Sequence, residues 1–179
     1  DIVLRFEKAQ PLRYGENPHQ KGAFYRELEL IEPSVAKAKQ LQGKELSFNN
    51  IYDLDSALAM VRDFSEPTVA IIKHTNPCGL AEADTISEAY SKAYACDPLS
   101  AFGGIVALNR RVDAKTAHQI TSTFIEAVIA PEYEEAALNI LASKGNLRVL
   151  EVGELGGVKK VGIPRITSYD MKKVVGGLL

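Results

Sequence analysis

Val69-Ala70-Ile71-Ile72-Lys73-His74-Thr75-Asn76-Pro77-Cys78-Gly79 runs an apolar, mostly β-branched segment into a basic pair, and then into Asn-Pro and Gly. The apolar run is short and has no helical period, so it predicts a buried strand. Asn76-Pro77 is expected to leave that strand: proline donates no backbone hydrogen bond and biases the preceding residue away from the helical region. Lys73 and His74 then stand at a strand's carboxyl end, where α/β sheets place ligands. A lysine and an imidazole there can supply a cation and a proton carrier near neutral pH. A solvated strand end and a hydrogen-bonded loop histidine fit the same residues, and the stretch alone leaves both readings open.

On either side, short apolar runs alternate with helical patterns. Upstream, Ile51, Leu54, Leu58 and Val61 recur at helical spacing, with Asp53 and Asp55 suited to the positive end of the helix dipole and Asn49 or Asn50 as N-cap. Downstream, Asp84 or Thr85 caps a helix over 86–95, with Glu88 completing a capping box, and Asp113 caps another to about Thr121. Residues 133–143 are amphipathic, with Gly145 as the C-terminal cap, and 36–41 predict a short helix stopped near Gly43. Core strands are expected near 68–73, 104–108, 127–130 and 147–152, with 23–26 and the tail as additions, and an exposed connection from Gly153 to Ile163. The pattern predicts an α/β domain of three layers, α/β/α, with helices on both faces of a largely parallel or mixed sheet.

At 179 residues, 46% hydrophobic and 25% charged, the chain suits one soluble domain with a real core. A net charge of -2 argues against general affinity for nucleic acid or an anionic membrane, so an anionic ligand needs a local group of cations. Two cysteines, Cys78 and Cys96, fit a reducing compartment better than a disulfide framework. No apolar run approaches the roughly 20 residues of a membrane span, and the opening segment lacks the design of a signal peptide. A cytoplasmic protein is expected. The absent initiator Met and the closing apolar run at 174–179 suggest a piece of a longer chain.

The loop Pro11-Leu12-Arg13-Tyr14-Gly15-Glu16-Asn17-Pro18-His19-Gln20 is crowded with hydrogen-bonding groups. Arg13 can grip a phosphate with its planar fork, with Tyr14 adding a hydroxyl, or it can pair with a carboxylate on a plain surface turn. Gly103-Gly104 ahead of a strand marks close backbone approach, to a ligand or to neighbouring chain. The zinc-deaminase signature is broken: no glutamate follows His74 at the required place, and Ala81 stands three beyond Cys78 where a cysteine belongs. His19, His74 and His118 lack metal-ligand spacing. Glycine-rich dinucleotide, P-loop and Gly-x-Ser-x-Gly motifs do not occur. What remains is metal-free chemistry with a Lys–His pair.

Four segments occur in order: Arg13-Tyr14-Gly15-Glu16-Asn17-Pro18-His19-Gln20, Asn49-Asn50-Ile51-Tyr52-Asp53, Lys73-His74-Thr75-Asn76-Pro77-Cys78-Gly79 and Ser100-Ala101-Phe102-Gly103-Gly104. Together they closely resemble the transformylase domain of the AICAR transformylase/IMP cyclohydrolase family, from about Leu4 to the last residue. The resemblance implies a cytidine deaminase-like unit, the first of two in the transformylase domain, spanning residues 1–179, with the second unit and the cyclohydrolase domain absent. It implies formyl transfer from 10-formyltetrahydrofolate to aminoimidazole carboxamide ribonucleotide in purine (IMP) biosynthesis, without a catalytic metal, in a homodimer. Carried over by motif, Lys73 and His74 are the catalytic pair, Arg13 and Tyr14 meet the phosphate end, Asn50 contacts the nucleotide, and Phe102 and Gly103 line the site. Glu126 stands where the family has an acidic residue near the ribose. Two other readings stay in view: a zinc-type deaminase relative on a similar fold, and a non-catalytic nucleotide-binding module.

Overall fold

The computed structural model describes residues 3–29, 32–155 and 171–179. In chain order it forms β1 (Phe6–Leu12), β2 (Gly22–Glu27), β3 (Lys39–Gln42), α1 (Phe48–Arg62), β4 (Thr68–Lys73), β5 (Asn76–Glu82), α2 (Ile86–Cys96) and α3 (Pro98–Ala101). Then follow β6 (Gly104–Leu108), α4 (Ala114–Thr121), β7 (Ile125–Ala130), α5 (Glu135–Leu141), β8 (Arg148–Glu151), β9 (Lys173–Val174) and β10 (Gly177–Leu178). The main sheet has six strands in the order β3-β8-β7-β6-β4-β5. β6, β7 and β8 are mutually parallel, with Val106 beside Val128 and Val128 beside Val149. β4 runs against β6, with Ile72 opposite Ile105, and β3 runs against β8.

Strand side chains alternate between faces, so each apolar strand serves two cores. Val69, Ile71, Val106, Leu108, Val128 and Val149 pack with Ile86, Ala89 and Tyr90 of α2, Ile120 of α4 and Leu141 of α5. Ala70, Ile72, Ile105, Ala107, Ile129 and Leu150 pack with Leu54, Ala57, Leu58 and Val61 of α1 on the other face. The three-layer α/β/α reading is therefore correct. Leu54 and Leu58 are 0% and 1% exposed. Each such burial is worth roughly 1.5–3 kcal/mol, enough to fix α1 as the platform for residues at its amino end.

The four expected core strands lie where the apolar runs placed them, and the departures have local causes. Asn76-Pro77 does not leave the sheet: Lys73 pairs with Asn76, and the chain returns at once as β5. β5 is an edge strand, where proline's missing donor is tolerated. The predicted helix over 36–41 is a turn followed by β3, because the antiparallel pairing of Gln40 with Leu150 overrides a weak helical pattern. The strand expected at 23–26 pairs with β1 in a separate two-stranded sheet, and the tail forms its own β9–β10 hairpin, so neither extends the core. Ser47, rather than Asn49 or Asn50, is the N-cap of α1. At α2 the cap is Thr85, accepting from the Glu88 amide, while the Glu88 carboxylate pairs with Lys92. α5 ends at Leu141 with Ala142 as its C-cap, ahead of Gly145. The connection expected from Gly153 lies, from 156 to 170, outside the described residues. Among the described residues no helix is long and apolar enough to cross a membrane.

Candidate functional site

Because β4 runs against its neighbours, its carboxyl end lies beside the amino ends of β6 and β7, with β8 next in the sheet. The rim is thus a carboxyl end only for β4 and for the edge strand β3, which runs against β8, and this corrects the simple expectation for a parallel sheet. At this rim Lys73 and Asn76 close a hairpin over two residues, His74 and Thr75. Their φ angles are 53° and 61°, the left-handed sense that two-residue hairpins require and that Asn-Gly ordinarily supplies. A side chain in such a conformation costs on the order of 1–3 kcal/mol, so the turn needs external support. Asp53 of α1 provides it: its two carboxylate oxygens accept the amides of His74 at 3.1 Å and Thr75 at 2.7 Å. The His74 carbonyl in turn accepts from Thr75 Oγ1 at 2.7 Å and Asn76 Nδ2 at 2.8 Å. The imidazole-bearing residue itself is exposed, and Lys73 is half-buried.

Lys73 Nζ donates to the carbonyl of Phe102 at 2.8 Å, tying the basic pair to the bend between α3 and β6. Gly103, at φ +75°, lets the chain reverse there and donates its amide to the Phe124 carbonyl at 2.8 Å. The Phe102 and Phe124 rings lie 5.0 Å apart and remain 61% and 52% exposed, which leaves an apolar surface suited to a flat heterocycle.

Phe124 also lines a cleft of about 670 Å³, a volume suited to a small molecule. Tyr14, Lys44, Asn50, Glu126, Lys144 and Arg148 contribute to the same cleft. Asn50 is 4% exposed and works in two directions. Its Oδ1 accepts the Ser47 amide in the helix capping box, while its Nδ2 donates to Glu126 Oε2 at 3.1 Å. Asn50 is thus the third residue of a capping box whose cap is Ser47, and the same side chain still reaches Glu126. Arg148 lies 3.9 Å from the same Glu126 oxygen and donates Nε to the Glu45 carbonyl, which fixes its guanidinium at the cleft. The loop bearing Tyr14 is closed by hydrogen bonds between Gly15 and Gln20 and between Gln20 and Asn17. Arg13 is exposed, its guanidinium 6.0 Å from the Tyr14 ring.

Tyr14, Asn50 and Glu126 thus share one cleft, with Arg13 beside Tyr14, while Lys73, Phe102 and Gly103 form a contact chain that reaches it through Phe124. Asp53, Phe124 and Arg148 escaped the sequence reading. Asp53 lies three residues after Asn50 in a quoted motif, so helical spacing puts it on Asn50's face; it stands beyond the first turn of α1, so its carboxylate serves the hairpin rather than the helix dipole. Phe124 and Arg148 arrive through strand adjacency, for which the local sequence holds no sign. Among the described residues no group of three or more His, Cys, Asp or Glu is placed to hold a metal ion.

Burial, aided by nearby Asp97 and opposed by Lys73, pushes the Cys78 thiol up. Cys96 is exposed. The thiolate is the reactive form, so iodoacetamide at pH 8 is expected to modify Cys96 several-fold faster than Cys78. Equal rates in peptide mass mapping would contradict this.

Together these features define an α/β/α unit whose polar side chains and exposed aromatic rings converge at one end of a mixed sheet. The chain belongs to the AICARFT/IMPCHase bienzyme family, whose model matches residues 1–179. The resemblance carried by the four motifs is therefore borne out. The chain is 53% identical over 178 residues to a bifunctional purine biosynthesis protein PurH of Acetivibrio thermocellus, covering 99% of this chain and 34% of that protein. It is 55% identical over 178 residues to the PurH of Thermoanaerobacter sp. (strain X514), covering 99% and 33%. It is also 55% identical over 181 residues to the PurH of Myxococcus xanthus, covering 100% and 35%. The chain spans about a third of the length of these relatives.

Proposed function

We propose that this chain supplies the first cytidine deaminase-like unit of a transformylase domain, moving a formyl group from 10-formyltetrahydrofolate to the 5-amino group of aminoimidazole carboxamide ribonucleotide. Family membership supports the reaction class. The observation that carries the assignment to this rim is the Lys73–Phe102 hydrogen bond, which holds the basic pair against the aromatic platform bordering the Tyr14–Asn50–Glu126 cleft.

The substrate amine is a weak nucleophile, because its lone pair is delocalised toward the carboxamide. As its nitrogen bonds to the formyl carbon, His74 takes the amine proton and Lys73 offsets the negative charge on the tetrahedral oxygen. The Lys73 ammonium has three donors, one of them on Phe102, so others remain for that oxyanion. Collapse breaks the bond to the folate nitrogen, which leaves with a proton. Arg13 and Tyr14 serve the phosphate, Asn50 and Glu126 the nucleotide, and Phe102 and Gly103 the heterocycle. The complete protein is proposed to be a cytoplasmic homodimer that also carries the cyclohydrolase activity.

The test is a formyl-transfer assay on a full-length bifunctional protein carrying this chain, paired with ribonucleotide titration by calorimetry. Arg13→Ala removes a charge-assisted contact worth about 1.5–3 kcal/mol, so the ribonucleotide Kd should rise on the order of 10- to 100-fold. An unchanged Kd would refute the phosphate role. The isolated chain is expected to transfer little or no formyl group, and robust transfer by it would overturn the need for a second unit.

A further inference from the structure

We infer that Asp53 is a positioning residue for formyl transfer, acting through the turn that carries Lys73 and His74; this rests on the function proposed above. Asp53 is 8% exposed, on a helix anchored in the core by Leu54, Ala57, Leu58 and Val61. Its oxygens engage two consecutive amides outside its own helix. Ser47 and Asn50 already complete the capping box of α1, so capping does not explain this carboxylate. The turn it holds is one that His-Thr does not favour unaided, since both residues are at positive φ and threonine is β-branched. Charge-assisted hydrogen bonds from the two amides to a buried carboxylate pin that geometry. Without them His74 and Thr75 relax toward negative φ, and the directions of Lys73 and His74 change together. Asp53 meets the reaction only through this backbone.

The experiment compares Asp53→Asn, Asp53→Glu and Asp53→Asn/Thr75→Gly in a full-length bifunctional protein carrying this chain. A carboxamide offers one acceptor oxygen where the turn needs two. Displacement of the catalytic pair by about 1 Å should then lower kcat on the order of 100-fold for Asp53→Asn. The ribonucleotide KM should stay within about threefold of the parent, the pattern of an interaction felt in the transition state. Glycine accepts positive φ freely, so Thr75→Gly in the same background should recover roughly tenfold of the loss. Asp53→Glu retains both acceptors on a longer arm and should lose less than Asp53→Asn; it serves if the asparagine variant does not fold. A kcat for Asp53→Asn within about twofold of the parent, a purely KM effect, or no recovery in the folded double variant would overturn the inference. Hydrogen exchange at the His74 and Thr75 amides separates the two claims. If the parent transfers no formyl group, the proposed function fails, while faster exchange in Asp53→Asn still supports the clamp and unchanged exchange rejects it.

Discussion

His74→Ala, in a full-length protein carrying this chain, is expected to lower formyl-transfer turnover on the order of 1,000-fold, within the usual range for loss of a general base. The ribonucleotide Kd should change little, because the imidazole is proposed to act on the amine proton during attack, whereas Arg13, Tyr14, Asn50 and Glu126 are proposed to serve ground-state binding. The turn should survive the substitution, since Asp53 grips the backbone amide of residue 74 rather than its side chain. Turnover equal to the parent would dismiss the base role. An equal loss in turnover and affinity would reassign His74 to binding. Lys73→Ala removes both the proposed oxyanion partner and the bond to Phe102, so its effect should extend to the ring platform as well.

Gly79→Ala is expected to be among the most destabilising single-atom additions in the domain. A Cβ on Gly79 would lie 1.9 Å from the Ala93 carbonyl oxygen and 3.2 Å from Cys96 Cβ. The obstacle is backbone of α2, so the helix and β5 must separate rather than a side chain rotate away. Overpacking of this kind typically costs 1–3 kcal/mol, and a clash with backbone this close should reach about 3 kcal/mol or more. For a chain of this length that lowers Tm by roughly 6–12 °C, measurable by circular dichroism. Gly145→Ala is the control: nothing lies within 4 Å of its added Cβ, and its effect should be within about 0.5 kcal/mol. Coincident melting of Gly79→Ala and the parent would refute the packing argument.

Local pattern carried the layers of this fold further than their directions. Val69 to Ile72 and Ile105 to Leu108 announce buried strands through composition alone, and the caps at Thr85 and Asp113 follow from short polar side chains before apolar periods. Strand polarity depends on connection length in space, and a two-residue return after Lys73 is hidden because His-Thr lacks the usual glycine signal. The helix expected over 36–41 gives way to β3 because four residues at an edge draw their strand identity from Leu150 and Val149 rather than from their own propensities. At the site, Arg13, Tyr14, Asn50, Lys73, His74, Phe102 and Gly103 stood out through motifs. The bond between Asn50 and Glu126 joins residues on different elements and needed the sheet order to emerge.

A basic pair mounted on the shortest possible hairpin has a thermodynamic corollary. A ligand reaching the rim meets side chains whose backbone has little entropy left to lose, so little of the intrinsic affinity goes into ordering that segment. The same shortness leaves no slack. One residue inserted between Lys73 and Asn76 would either bulge outward or slip β5 by one position, turning its inward side chains outward along the whole strand.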